Sequence, residues 1–336
     1  MRRIGLAFPG QPYSIREVIA AAQAAEAVGF DSVWIAEDLW TGRDAVSVIS
    51  CLALETRRIR LCTGLLNPYV RHPVLIAMTV NALSELARGR LTVGIGAGMP
   101  WKPVLGDAIS RWPPLRAVRE TVILLRSLFS GEETTCGEET LSLTVNRPCF
   151  SAPIPPLAEQ VPVYIGATGP RMTELAGEIA DGLLLGTGTR RDEILPRLQR
   201  LAAGAARSGR SAQSIDVAAI LVTSASRDGA IHPNTLGYAV KSVAALAEDD
   251  ALRLGLDPER VRRVKAEYAL GNCESAGRLL SPEMVSTFVA AGRPASCLTV
   301  IEGFVQAGVT LPILMPFGGD WRGVIELGTE YAKEKP

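Results

Sequence analysis

The sequence predicts an α/β fold: a closed (β/α)8 TIM barrel with two insertions. Three observations predict it. Short β-branched apolar runs recur along the chain, and each leads through a glycine-rich or polar loop into a helical stretch. Eight such runs can be counted, near residues 4, 32, 59, 91, 161, 182, 215 and 311. The length, 336 residues, suits one barrel with insertions. Strands alternating with helices imply a parallel sheet. A doubly wound sheet is the rival, but it usually has fewer strands and a reversal of strand order.

The elements follow in order. Ile4 to Phe8 is the first strand, and a helix runs from about Ser14 to Val28. Ser14 and Glu17 have capping-box spacing, and Gly29 ends the helix. Ser32 to Ala36 precedes a helix from Asp44 to about Thr56. Ile59 to Leu66 precedes a helix from about Pro73 to Ala87, where Pro73 suits a first turn. Leu91 to Ile95 is the fourth strand, and a helix covers about Leu115 to Phe129. Residues 131–160, rich in Glu, Thr, Pro and Gly, break the rhythm; LSLTV within them suggests a short strand or hairpin. Val161 to Ile165, a helix Pro170 to Ala180, Gly182 to Leu185, a helix Asp192 to Ser208 and a strand Ile215 to Thr223 resume it. A second excursion, 224–294, reads as helical. A helix from about Ala295 to Ala307, a strand Leu311 to Met315 and a terminal helix close the chain. Neither excursion reads as an interdomain linker, so residues 1–336 are expected to form one domain.

Composition narrows the function. There are 35 basic and 35 acidic side chains, 47% hydrophobic and 21% charged residues, and a pI near 6.8. That balance argues against nucleic-acid binding and against a polybasic membrane surface. No run approaches the roughly 18 apolar residues of a membrane helix. The N-terminus reads as a first strand, not a signal peptide. Six cysteines, at 51, 62, 136, 149, 273 and 297, form no CxxC pair. They suit thiols in a reducing compartment, so a cytoplasmic location is expected. The only histidines, His72 and His232, lie far apart, which supports neither a zinc site nor a Ser-His-Asp triad.

In such a barrel the active site lies where the strands end. Those positions include Glu37, Asp38 and Trp40; Gly64, Leu65 and Asn67; Gly96 to Met99; Gly166 to Gly169; Gly186 and Thr187. Repeated glycines there favour a large planar or phosphorylated ligand, the alternative being ordinary tight turns. In IGATGPRM a strand ends at a loop and Pro170 opens a helix, so free N–H groups suit a phosphate; the alternative is a start capped by Thr168. VGIGAG lacks the last glycine of a dinucleotide fingerprint and falls on the fourth strand. Glu37 and Asp38 suit proton transfer or hydrogen bonding to a heterocycle, the alternative being a solvated pair. His72 reads as structural.

At these residues the chain resembles the luciferase-like monooxygenase superfamily of flavin and deazaflavin enzymes. It is most similar to the branch typified by methylenetetrahydromethanopterin reductase, which uses coenzyme F420. The stretches that carry the resemblance are RDAVSVISCLALETRRIRL, TGLLNPYVRHPVLIA, LSELARGRLTVGIGAG, VPVYIGATGPRMTELAGEIADGLLLG and AGVTLPILMPFG. They span most of the barrel, and only the excursions are unmatched.

By position, the resemblance implies a cis peptide at Gly64–Leu65, a bulge backing the central ring of the cofactor. Asn67 would contact the ring or its side chain. Ala167, Thr168 and Gly169 would hold the phosphate, and Gly186 and Thr187 would line the same channel. Ala97 and Gly98 would lie among the cofactor contacts. Glu37 and Asp38 would sit by the pyrimidine edge and the substrate, with Trp40 and Met99 on the substrate side. Many relatives carry histidine where Asp38 stands, and some dehydrogenases carry glutamate where Met99 stands. A reductase needing little acid catalysis therefore suits the pocket better than a sugar-phosphate or alcohol dehydrogenase. The resemblance further implies a homodimer, with the apolar helix near 74–87 as a candidate face. The expected activity is hydride transfer between F420 and a small organic substrate. The rivals are a monooxygenase using reduced FMN and oxygen, and a non-catalytic flavin-binding barrel.

Overall fold

Eight parallel strands close into a barrel in the computed structural model, which describes residues 2–37, 43–98, 112–130, 135–136, 143–144 and 160–334. The strands are β1 (Gly5–Phe8), β2 (Ser32–Ile35), β3 (Arg60–Thr63), β4 (Leu91–Ile95), β7 (Val163–Gly166), β8 (Gly182–Leu185), β9 (Asp216–Ala225) and β11 (Leu311–Pro316). They pair in that order, and β11 returns to β1 with Gly5 opposite Ile313. The expected (β/α)8 architecture is therefore observed.

Helices α1 (Ile15–Ala27), α2 (Ala45–Glu55), α3 (Pro73–Ala87), α4 (Pro114–Ser130), α5 (Pro170–Ile179) and α6 (Arg191–Arg207) connect the strands. Their starts follow local chemistry. Ser14 and Glu17 form a reciprocal capping box on α1. Asp44 caps α2. His72 caps α3 through Nδ1, which accepts the Val74 N–H at 3.3 Å, with Pro73 in the first turn. His232 does the same for the Asn234 N–H at 3.2 Å. Both histidines thus serve as helix caps.

The first excursion contains a two-stranded antiparallel ladder, β5 (Thr135–Cys136) with β6 (Leu143–Thr144). The second holds α7 (Pro233–Ala244), α8 (Glu248–Arg253), α9 (Pro258–Ala269), α10 (Cys273–Arg278) and α11 (Pro282–Phe288). Its helical reading needs one correction. A strand, β10 (Ala290–Gly292), extends the sheet by pairing in parallel with the far end of β9, Ala290 opposite Thr223. The helix α12 (Pro294–Gln306), β11 and α13 (Trp321–Lys333) complete the fold.

Alternation along each strand divides the core in two. Leu6, Val33, Leu61, Val93, Val163, Leu183 and Val217 pack against the surrounding helices. Ala7, Trp34, Cys62, Tyr164, Leu184, Ala218 and Ile313 fill the barrel itself. The Trp34 and Tyr164 rings meet edge to face at 5.4 Å. Glycine at 182 makes room for Tyr164, because a Cβ there would lie 2.4 Å from the ring.

Below these rings a polar plug seals the N-terminal end. Arg3 bridges Asp31 at 3.0 Å and Asp216 at 2.8 Å, Arg60 also holds Asp31, and the Tyr164 hydroxyl donates to Asp216 at 2.5 Å. Burial pushes the Asp216 carboxyl up. The hydrogen bonds from Arg3, Thr310 and Tyr164 outweigh it and hold the group below the usual range.

Candidate functional site

The β3 loop shapes the floor of the open end. The Gly64–Leu65 peptide is cis, as the resemblance implied. The Gly64 N–H donates to Ile35 O and the Leu66 N–H to Gly94 O, each at 2.8 Å, so the bulge is tied to both neighbouring strands. The Leu65 side chain lies in a socket of glycines. A Cβ at Gly96 or Gly166 would lie 2.4 or 2.3 Å from Leu65 Cδ1, and one at Gly94 would lie 2.3 Å from Thr63 O. This corrects the uniform reading of strand-end glycines. Gly94, Gly96 and Gly166 seat a protein side chain, whereas Gly169 and Gly186 meet nothing within 4 Å of an added Cβ and front open space.

After β7 the IGATGPRM segment turns into a helix at Pro170. Gly169 is the N-cap of α5, and no side chain caps it. Thr168 therefore does not take the capping role left open above. Ala167 is buried, its N–H on Leu184 O and its carbonyl accepting from Arg197 at 3.3 Å. A turn braced in this way presents first-turn N–H groups that no protein side chain has claimed. Beside it, the Tyr238 hydroxyl from α7 lies 3.1 Å from where a Cβ at Gly188 would stand, and burial raises the Tyr238 pKa. Tyr238 also packs edge to face on Phe317 after β11, with centroids 5.7 Å apart. The second excursion thus reaches the mouth, through Tyr238.

At the end of β2, Glu37 is buried, its side chain only 6% exposed. Arg71 Nε donates to Glu37 Oε1 at 2.6 Å, and Arg71 Nη2 pairs with Asp44. Glu37 Oε2 is buried and has no hydrogen-bond partner among the described residues. A buried carboxylate oxygen left bare costs free energy unless something supplies a donor. Burial pushes Asp44 up, but the Ser47 hydrogen bonds and the Arg71 charge hold it below its ordinary pKa.

Asn67 bridges two loops. Its Nδ2 donates to Ala97 O at 3.0 Å and its Oδ1 accepts the Tyr69 N–H at 2.9 Å. It ties the β3 and β4 loops together, so its first task is scaffolding. Tyr69 packs on Trp112 at 5.7 Å and donates to the Trp112 carbonyl, and burial pushes its pKa up to about 12. Gly98 sits at the left-handed φ of 67°. Asp38, Trp40 and Met99 lie outside the described residues. The described residues contain no cluster of three or more His, Cys, Asp or Glu suited to a metal ion, and no helix among them is long and apolar enough to cross a membrane.

The family model described as luciferase-like monooxygenase matches residues 3–311. The chain belongs to this family. Within the luciferase-like family, a 5,10-methylenetetrahydromethanopterin reductase of Methanolobus tindarius is 32% identical over 306 residues, 90% of each chain. An F420-dependent glucose-6-phosphate dehydrogenase of Beutenbergia cavernae is 29% identical over 329 residues, 92% of this chain and 90% of that one. Among solved structures, a coenzyme F420 dependent tetrahydromethanopterin reductase from Methanopyrus kandleri matches with a TM-score of 0.83 at 25% identity over 98% of both chains. This luciferase-like chain is therefore similar, over nearly its whole length, to proteins named for F420.

Proposed function

We propose that this protein is an oxidoreductase that transfers hydride between coenzyme F420 and a small organic substrate. The observation that carries it is the uncapped turn at Ala167–Gly169, flanked by the open backbone of Gly169 and Gly186. The relatives named for F420, matched over about nine-tenths of the chain, support the deazaflavin over FMN.

The residues fit a flat, phosphorylated coenzyme. The first-turn N–H groups of α5 would hold its phosphate, with Gly186 and Thr187 beside its path. The Gly64–Leu65 bulge would back its rings. Glu37 Oε2 would accept a hydrogen bond from an N–H at the edge of the heterocycle. When bound, the deazaflavin supplies a carbon that gives or takes hydride. It has carbon where flavin has N5, so it forms no oxygen adduct. The chain's own part is positioning and exclusion of water, with the reacting carbons about 3–3.5 Å apart. Within this reading Asp38, Trp40 and Met99 border the substrate. With no histidine at 38 and no glutamate at 99, a reduction needing little acid catalysis is favoured. The two excursions belong to the single barrel unit, the protein works in a reducing cytoplasm, and it pairs as a homodimer.

The test is turnover. Protein mixed with reduced F420 and a panel of enone, imine and pterin acceptors is expected to oxidise the coenzyme with at least one of them. Coenzyme binding with no hydride exchange across the panel would favour a non-catalytic barrel. Consumption of oxygen with reduced FMN, and no response to F420, would make it a monooxygenase.

A further inference from the structure

Arg71 divides its donors between the two ends of the loop that joins β2 to α2. Nε binds Glu37 Oε1 at 2.6 Å, and Nη2 binds Asp44, the residue that caps α2. Its side chain is 19% exposed, and its partner Glu37 is 6% exposed. The charge-assisted bond to Oε1 fixes the rotation of the Glu37 carboxyl group, and with it the direction of the other oxygen. That oxygen, Oε2, is buried and bare. A buried acid whose only work was structural would have both oxygens satisfied within the protein. Here one oxygen is anchored and its twin meets no donor among the described residues.

We propose that Arg71 is a positioning residue, which fixes Glu37 so that Oε2 faces an N–H or O–H donor of the bound coenzyme. The inference rests on the coenzyme reading above and deepens it. Arginine is required because its planar fork reaches both acids at once, whereas the ammonium of lysine is a single point donor.

A double-mutant cycle on coenzyme binding tests it. Glu37→Gln, Arg71→Met, the pair together, and Arg71→Lys are titrated with oxidised F420 and with FMN by absorbance and fluorescence, and thermal midpoints are recorded in parallel. Each of the first two substitutions is expected to weaken binding about tenfold, the scale of a lost hydrogen bond to a charged group. The pair is expected to be no weaker than the worse single, because both remove the same contact. Arg71→Lys is expected to keep the thermal midpoint yet bind more weakly than wild type. Unchanged affinity in Arg71→Met, or losses that simply multiply in the pair, would overturn the proposal. So would a midpoint that falls in Arg71→Met and recovers in the pair while affinity stays constant, for that marks a purely structural ion pair. Wild-type protein that binds FMN but not F420 overturns the choice of coenzyme alone, and the cycle read on FMN still decides Arg71. Binding of neither coenzyme overturns both.

Discussion

Residues that look alike in the sequence do different work in the barrel. Gly96 and Gly166 accommodate Leu65, Gly182 accommodates Tyr164, and Gly169 and Gly186 face open space. The sequence places Gly96, Gly166, Gly169 and Gly186 alike at strand ends and Gly182 at a strand start, but what meets a missing Cβ is a cross-strand neighbour, invisible to local spacing. The difference can be measured. In Gly96→Ala the clash is with the tip of Leu65, which can turn, so the fold is expected to survive. Coenzyme affinity is expected to fall as the floor rises. In Gly94→Ala the clash is with the Thr63 carbonyl at 2.3 Å, which cannot turn away. A stability loss of about 1–3 kcal/mol is expected in denaturant melts. Equal effects of the two substitutions on stability would contradict the socket. Arg71 escaped the sequence reading for the same reason: its partners Glu37 and Asp44 lie about thirty residues away, and attention fell on the adjacent His72.

At the scale of elements, strand composition and helix caps were legible. The β-branched runs located all eight barrel strands, and the Ser14–Glu17 spacing located the start of α1. The strand β10 was not legible, because Ala-Ala-Gly has no strand character of its own and forms only by pairing with the long end of β9. The helix α3 carries the element-scale prediction. Leu75, Met78 and Leu86 stand exposed on it, at 45%, 55% and 40%, beside Leu54 on α2. An apolar face of this kind suits burial between two copies. Light scattering at micromolar protein is expected to give the mass of a dimer, and Met78→Asp the mass of a monomer with its helical content intact. A wild-type monomer would contradict the assignment of this face.

For the whole molecule, the two ends of the barrel differ in chemistry. The Arg3, Asp31, Arg60 and Asp216 plug, with Tyr164 over it, fills the N-terminal end. The C-terminal end gathers the Leu65 bulge, Glu37 held by Arg71, and the braced turn before α5. Strand order made this polarity readable in advance, since barrel sites lie where the strands end. That the second excursion covers the mouth was expected, but that Tyr238 makes the contact was not readable, because it joins an excursion to a loop by a path only the fold supplies. The most direct measurement is a crystal structure of the protein soaked with F420. The account expects the rings to lie over Leu65, the phosphate on the N–H groups after Gly169, and a ring N–H on Glu37 Oε2. Coenzyme bound elsewhere, or side chains filling the space above Leu65, would contradict it.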